Sequence, residues 1–199
     1  MHNCGCNPLE SFRLYLESIL PGMPFEDWDA VTSASEIIGL DRGAPLFAPD
    51  TVHDSVHILL TGAVRCFEYA AEREVTVNLF VEYEVLVDCL SIQAGKPSGF
   101  VYRAQEPCLL IRFQKDKLAK MLLSSHFLSE LYRRLFERKF NKELEFRRFL
   151  LRMNASERYL FLMRHKPEYL MRFPLKDIAS FMGITPTSLS RLRKTMSLL

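Results

Sequence analysis

The sequence predicts an α+β chain in which an antiparallel β-sandwich or small barrel lies between helical segments and a small helical domain follows. Three observations predict it. Between Ile38 and Phe113, strand-sized apolar runs recur about every 8 to 12 residues, separated by Gly, Pro and Asp. Between Phe127 and Met153, 27 residues pass without Pro or Gly while apolar residues recur at helical spacing. From Leu175 to Met196 the pattern is that of two short helices around a tight turn.

With 199 residues there is room for one large domain or two smaller ones with cores of their own. Apolar residues make up 48% and charged residues 25%, the balance of an ordinary globular protein. No apolar run approaches the roughly 20 residues of a membrane span, so no membrane partner is expected. The start, Met1-His2-Asn3-Cys4-Gly5-Cys6, lacks the basic and apolar segments of a secretion signal, which predicts a cytoplasmic protein. The net charge of +2 is unevenly spread. Residues 1–125 carry 10 Lys/Arg against 17 Asp/Glu, whereas residues 126–199 carry 16 against 7. An acidic front and a basic back suggest that the back meets a polyanion.

Pro8 to Leu20 reads as an amphipathic helix with Leu9, Phe12, Leu16 and Ile19 on one face, ended by Pro21-Gly22. Pro24 to Ile37 reads as a second, with Glu26, Asp27 and Asp29 in its first turn, where carboxylates suit the dipole. Strand-like runs follow at Ala44–Phe47, Ser55–Thr61, Ala63–Tyr69, Glu74–Val81, Glu84–Leu90, Gly99–Ala104 and Cys108–Phe113, with Gly62 as a turn residue. No helix is expected among them, which makes the sheets antiparallel. The odd count of five cysteines argues against a disulfide framework, and Cys66, Cys89 and Cys108 read as small core residues. His2, Cys4 and Cys6 lack a second clear ligand pair, so no metal is expected there.

Lys115 to Leu123 begins helical structure. The stretch after it carries Leu128, Leu131, Tyr132, Leu135, Phe136, Phe140, Leu144 and Leu151 along one stripe, interrupted by Arg147. A helix of about 25 residues is roughly 38 Å long, more than a small domain needs for its own core. It suggests a dimerisation helix using Leu128, Leu131, Leu135, Phe136, Phe140 and Leu144. Ser156 is a candidate cap for a helix from Glu157 to His165, and Glu168–Phe173 reads as a loop. The domains predicted are thus 1–125, 126–153 and 154–199.

In the last stretch Gly183 ends the first short helix, Thr185 can cap the second, and Pro186 stands where a missing N–H costs nothing. Ile178, Met182, Ile184, Leu189 and Leu192 can bury one shared face, and Ala179 is small where the helices cross. This is the pattern of a helix-turn-helix whose second helix enters the major groove of double-stranded DNA. Thr185, Thr187, Ser188, Ser190, Arg191 and Lys194 are hydroxyls and cations with no carboxylate among them, the donors and acceptors a groove reader needs.

This order of parts resembles the Crp/Fnr family of bacterial transcription regulators. The resemblance rests on Arg42-Gly43-Ala44-Pro45-Leu46, on Val56 to Val64 around Gly62, on Ser156-Glu157-Arg158-Tyr159, and on Ile178 to Thr185 with Ser190-Arg191. It implies a cyclic-nucleotide-binding-like β-roll, a homodimer, a pseudo-palindromic operator and RNA polymerase as a further partner. It places an effector pocket at Val87, Asp88, Ser98, Gly99 and Arg103. The Gly-Glu and Arg-Ser pairs that hold cyclic AMP in the family are replaced here by Val87-Asp88 and Pro97-Ser98, so cyclic AMP is not expected. Cys4 and Cys6 lack the spacing of the iron–sulfur members, so no cluster is expected. For the haem-binding members' chemistry the candidates in the roll are His53 and His57.

Arg191 is the candidate for reading guanine, whereas Pro186-Thr187 replaces the family's usual early Glu and changes the expected half-site. The chain ends at Leu199 without a β-wing after the motif, so phosphate positioning falls to Ser188, Arg193, Lys194 and Lys176. The alternative from another class is a ligand- or partner-binding module whose helix-turn-helix makes a protein contact. No nucleophile–histidine–carboxylate spacing, phosphate loop or dinucleotide fingerprint points to an enzyme.

Overall fold

The computed structural model describes residues 7–47 and 51–196, so the residues His2, Cys4 and Cys6 lie outside it. The chain opens with α1 (Pro8–Ile19), capped by the Asn7 side chain, which accepts the Leu9 N–H at 3.1 Å. Its buried face is Phe12, Leu16 and Ile19. Helix α2 (Phe25–Ala34) is shorter than predicted. The residues from Ser35 onward form β1 (Ser35–Leu40), which pairs antiparallel with a strand more than sixty residues later. Ile37 and Ile38 are β-branched, and the ladder outweighs the helical periodicity that carried the prediction to Ile37.

Six further strands follow: β2 (Ser55–Thr61), β3 (Val64–Ala70), β4 (Arg73–Phe80), β5 (Val85–Leu86), β6 (Val101–Ala104) and β7 (Cys108–Gln114). Two of the predicted strands are lost or cut short. Pro45 makes an isolated bridge to Arg103 in place of the expected strand at Ala44–Phe47. The run Glu84–Leu90 pairs only at Val85–Leu86 and then turns into a helix, α3 (Cys89–Ala94). Asp88 stops the strand because its carboxylate accepts the Ser91 N–H at 3.0 Å as an N-cap. Cys89, expected in the core, is the exposed first residue of that helix. Cys66 and Cys108 are buried as expected.

The strands form two sheets, ordered β1-β7-β2-β5 and β4-β3-β6, with every pairing antiparallel. Leu59, Val64, Phe80, Leu86, Tyr102 and Leu110 fill the space between them. Strand β2 is buried on both faces: Leu59 points into the sandwich, and Val56, Ile58 and Leu60 point outward against helices. Gly62 follows β2 with φ of +105°, and a Cβ there would lie 2.6 Å from the Cys108 Sγ and 2.8 Å from backbone. Only glycine fits that approach.

Helix α4 (Lys115–Ser124) leads into α5 (His126–Arg152), a single helix of 27 residues. Its first half packs on the roll: Leu128 and Leu131 lie in the same core as Phe12, Leu16, Ile58 and Phe113. They face inward, so the outward stripe is shorter than predicted. Leu135 and Phe136 are half-buried, while Phe140 and Leu151 are 63% and 75% exposed. Leu144 is exposed beside them.

Four helices complete the described residues: α6 (Ala155–His165), α7 (Pro167–Arg172), α8 (Leu175–Phe181) and α9 (Pro186–Met196). The cap of α6 is Asn154 rather than Ser156. Asn154 accepts the Glu157 N–H at 3.0 Å, and Glu157 returns the contact to the Asn154 N–H at 2.8 Å, a capping box. The predicted loop at Glu168–Phe173 is largely α7, started by Pro167 at its first position. These helices have no separate core. Phe149, Tyr169, Ile178 and Leu189 share one with Leu79 of the second sheet and with Ala63 and Val81, which flank its strands.

Candidate nucleic-acid interface

Helix α8 ends in a tightly bonded turn. Met182 is its C-cap, and Gly183 follows with φ of +69°. The Gly183 N–H donates to the Ser180 carbonyl at 3.0 Å and the Ile184 N–H to the Ala179 carbonyl at 2.9 Å. This pair of bonds satisfies carbonyls the helix end leaves open, and its left-handed residue is the reason for glycine. Thr185 then caps α9, its Oγ1 accepting the Ser188 N–H at 3.1 Å. Ile178, Ala179, Met182 and Leu189 are fully buried against one another.

Burial of that face turns the other face outward. Thr185, Thr187, Ser188, Ser190, Arg191, Arg193 and Lys194 are all exposed, as is Lys176 on α8. Thr185 and Ser188 also share a hydroxyl contact of 2.9 Å, so part of their capacity serves the cap. The surface presents cations and hydroxyls without a carboxylate. The nearby acid, Asp177, points the other way and is buried.

Asp177 belongs to a polar seam that holds the helix-turn-helix against the roll. Strand β4 is the edge of its sheet, and side chains meet its outer rim. The Thr76 N–H donates to Ser180 Oγ at 2.8 Å, and the Tyr169 hydroxyl donates to the Leu79 carbonyl at 2.9 Å. Arg65 on β3 reaches Asp177 at 3.3 Å, Glu74 at 2.5 Å and Thr76 Oγ1 at 2.9 Å. Arg172 grips both Glu82 oxygens, at 2.6 and 2.8 Å, and also pairs with Glu106. Burial alone would raise Glu82, but the Arg172 fork holds its carboxyl below the usual range. Lys142 on α5 pairs with Glu84 and donates to Tyr169 at 3.1 Å, tying long helix, roll and α7 together.

Sequence reasoning missed one side chain at this interface. Arg158, half-buried on α6, donates to the carbonyls of Leu150 at 2.6 Å, Met153 at 2.9 Å and Met182 at 2.6 Å. The Asn154-to-Glu157 capping box beside it is a readable signal for where α6 begins. The targets of Arg158 come from two separate parts of the chain, the ends of α5 and α8, and are not.

The residues proposed for an effector divide. Asp88 and Ser98 do come together, but as partners of each other: Ser98 donates to one Asp88 oxygen while the other caps α3. Val87 is buried in the helix-facing core. Gly99 follows Ser98 on the approach to β6. Arg103 is engaged elsewhere, 3.3 Å from Glu74 with its guanidinium over Phe67. The sandwich interior beside Asp88 is occupied by aromatic rings. His53 stacks on Phe47 at 3.7 Å, with His57 and Tyr102 edge-on to the same ring at 5.1 and 5.9 Å. The Nδ1 atoms of His53 and His57 are buried without a hydrogen-bond partner among the described residues. Burial, then the charge of Arg112, pushes His57 down to about 4, so the ring stays neutral.

No protein-family model matches the chain, and no curated protein sequence does. Solved structures do match. FixK2 from Bradyrhizobium japonicum superposes with a TM-score of 0.68 at 16% identity, over 82% of this chain and 85% of its own. A CooA variant from Carboxydothermus hydrogenoformans gives 0.69 at 15% identity, over 92% and 84%. CLP, the c-di-GMP responsive global regulator of Xanthomonas campestris, gives 0.66 at 13% identity, over 88% and 92%. Among the described residues no helix is long and apolar enough to cross a membrane. Two-sheet roll, long helix and C-terminal helix-turn-helix follow one another in this chain, and its fold is that of the Crp/Fnr transcription regulators.

Proposed function

We propose that this protein is a homodimeric, sequence-specific DNA-binding transcription regulator. The observation that carries the proposal is the outer face of α9. Its exposed side chains are hydroxyls and cations, and its opposite face is locked into a core, so the helix is presented rigidly with nothing acidic on the reading side. Arg191 is the base reader, suited to guanine O6 and N7. Arg193, Lys194, Lys176 and Ser188 set the register on phosphates. Phe140, Leu144 and Leu151 project from α5 at spacings of four and seven residues, the seam a second copy would cover. Two copies related by that seam read a pseudo-palindrome and stand beside RNA polymerase at a promoter. An effector at Asp88 is not part of the proposal, because both of its oxygens have partners within the chain.

The test is a selection of duplexes bound by the full chain from a random pool, followed by a salt titration on the winner. Enrichment of a two-fold sequence with half-sites about one helical turn apart is expected, with affinity falling steeply as salt rises. A pool that does not enrich, together with a flat salt response, overturns the proposal in favour of a partner-binding module.

A further inference from the structure

Helix ends leave carbonyls without partners and carry partial negative charge. In this chain two such ends converge on one guanidinium. Leu150 and Met153 lie at the C-terminus of α5, Met153 as its C-cap, and Met182 is the C-cap of α8. Arg158 donates to all three carbonyls, through Nε, Nη1 and Nη2 separately. Its plane also lies over the Phe149 ring, 6.0 Å from the centroid, so the guanidinium is held from the side as well. A Cβ at Gly183 would stand 3.5 Å from its Nη1, which places the helix-turn-helix turn directly on the guanidinium. A planar, forked cation spanning three acceptors fixes direction as well as distance.

We propose that Arg158 is the positioning residue that sets the angle between the long helix and the reading helix. It thereby sets the half-site spacing that the dimer accepts. The inference rests on the DNA-reading function proposed above. Helix α5 carries the seam to the second copy and α9 follows Met182 by a four-residue step, so the Arg158 contacts form the joint between the dimer axis and the groove. A side chain that served stability alone would change how much protein folds but not which spacing it prefers.

The experiment takes the selected operator and varies the spacer between half-sites one base pair at a time, with a single half-site as reference. Wild type is expected to prefer one spacing by about tenfold or more over its neighbours. Arg158→Ala should flatten that preference to about threefold or less while single half-site affinity stays within about twofold. Arg158→Lys keeps the charge but not the fork and should flatten it too, and it decides the matter if the alanine variant does not fold. Asn154→Ala, which weakens the start of α6 without touching Met182, should keep the wild-type profile. An unchanged spacing profile in folded Arg158 variants overturns the inference. Wild type that binds the selected site with no spacing preference defeats the dimeric reading itself, and the inference with it.

Discussion

Arg65 on β3 and Asp177 on α8 pair across 3.3 Å where each side chain is only 4% exposed. The contact joins the middle of the roll to the first helix of the helix-turn-helix. Its two members are not equivalent. Arg65 also holds Glu74 and Thr76, whereas the Asp177 carboxylate relies on Arg65. Burial raises the Asp177 carboxyl above its ordinary range, and the Arg65 charge only partly opposes this. Desolvation therefore outweighs the pairing.

That asymmetry gives the first prediction. Arg65→Met strands a buried carboxylate and should cost about 3 kcal/mol or more in urea unfolding. Asp177→Asn removes the charge that was costly to bury and should cost under about 1 kcal/mol. Equal losses would show that the pair, rather than the burial, dominates.

His57 makes stability depend on acid. Its folded value of about 4 lies below the ordinary 6.5, so the unfolded chain binds the proton first. Stability should be flat above pH 6.5, fall as pH drops toward 4, and lose about 3 kcal/mol from this group. His57→Phe should flatten the slope of thermal midpoint against pH within that window. Glu82 adds to the loss further down: its folded carboxyl is depressed, so its contribution disappears only as pH falls below the normal 4.5.

Gly62→Ala should destabilise by about 2–4 kcal/mol, since the methyl meets Cys108 and backbone at a positive φ. Gly22→Ala has open space around it and pays only for its φ of +84°, about 1 kcal/mol. Chemical denaturation of the two variants side by side measures the difference.

Phe140→Glu should convert the proposed dimer to monomer in sedimentation velocity while circular dichroism stays unchanged, because the ring is exposed in the single chain. A dimer that survives this substitution uses another face.

Arg191→Ala should cost about 1–3 kcal/mol on the best operator and relax specificity at one base pair. Lys194→Ala should weaken all sequences alike and lower the salt slope by about one. Binding assays on the selected operator and a scrambled duplex separate the two effects.

Local chemistry marked its own place in the sequence. Gly183 with Pro186 announced the turn and the second helix, the run from Phe127 without Pro or Gly announced α5, and strand-sized apolar runs on either side of Gly62 announced β2 and β3. Each of these signals is set by nearest neighbours: a left-handed residue, a missing N–H, an unbroken periodicity. Some departures were local, as at the Asp88 and Asn154 caps, and others were decided by long-range partners. Ile37, read as the end of the second helix, joined β1 instead because β7 offered it a ladder.

For the interface the division is the same. The sequence by itself determined which residues α9 could show to a groove, because their spacing relative to Ile178 and Leu189 decides which face is buried. It also determined that the back of the chain is basic. Only the tertiary structure decided that Leu128 and Leu131 turn inward, that Asp88 is used up by Ser91 and Ser98, and that Asp177 is turned away from the reading face to meet Arg65. It alone brought the ends of α5 and α8 to Arg158. The Asp177 and Arg158 outcomes depend on charges and carbonyls whose separation in sequence carries no period, and folding is what places them within hydrogen-bond reach.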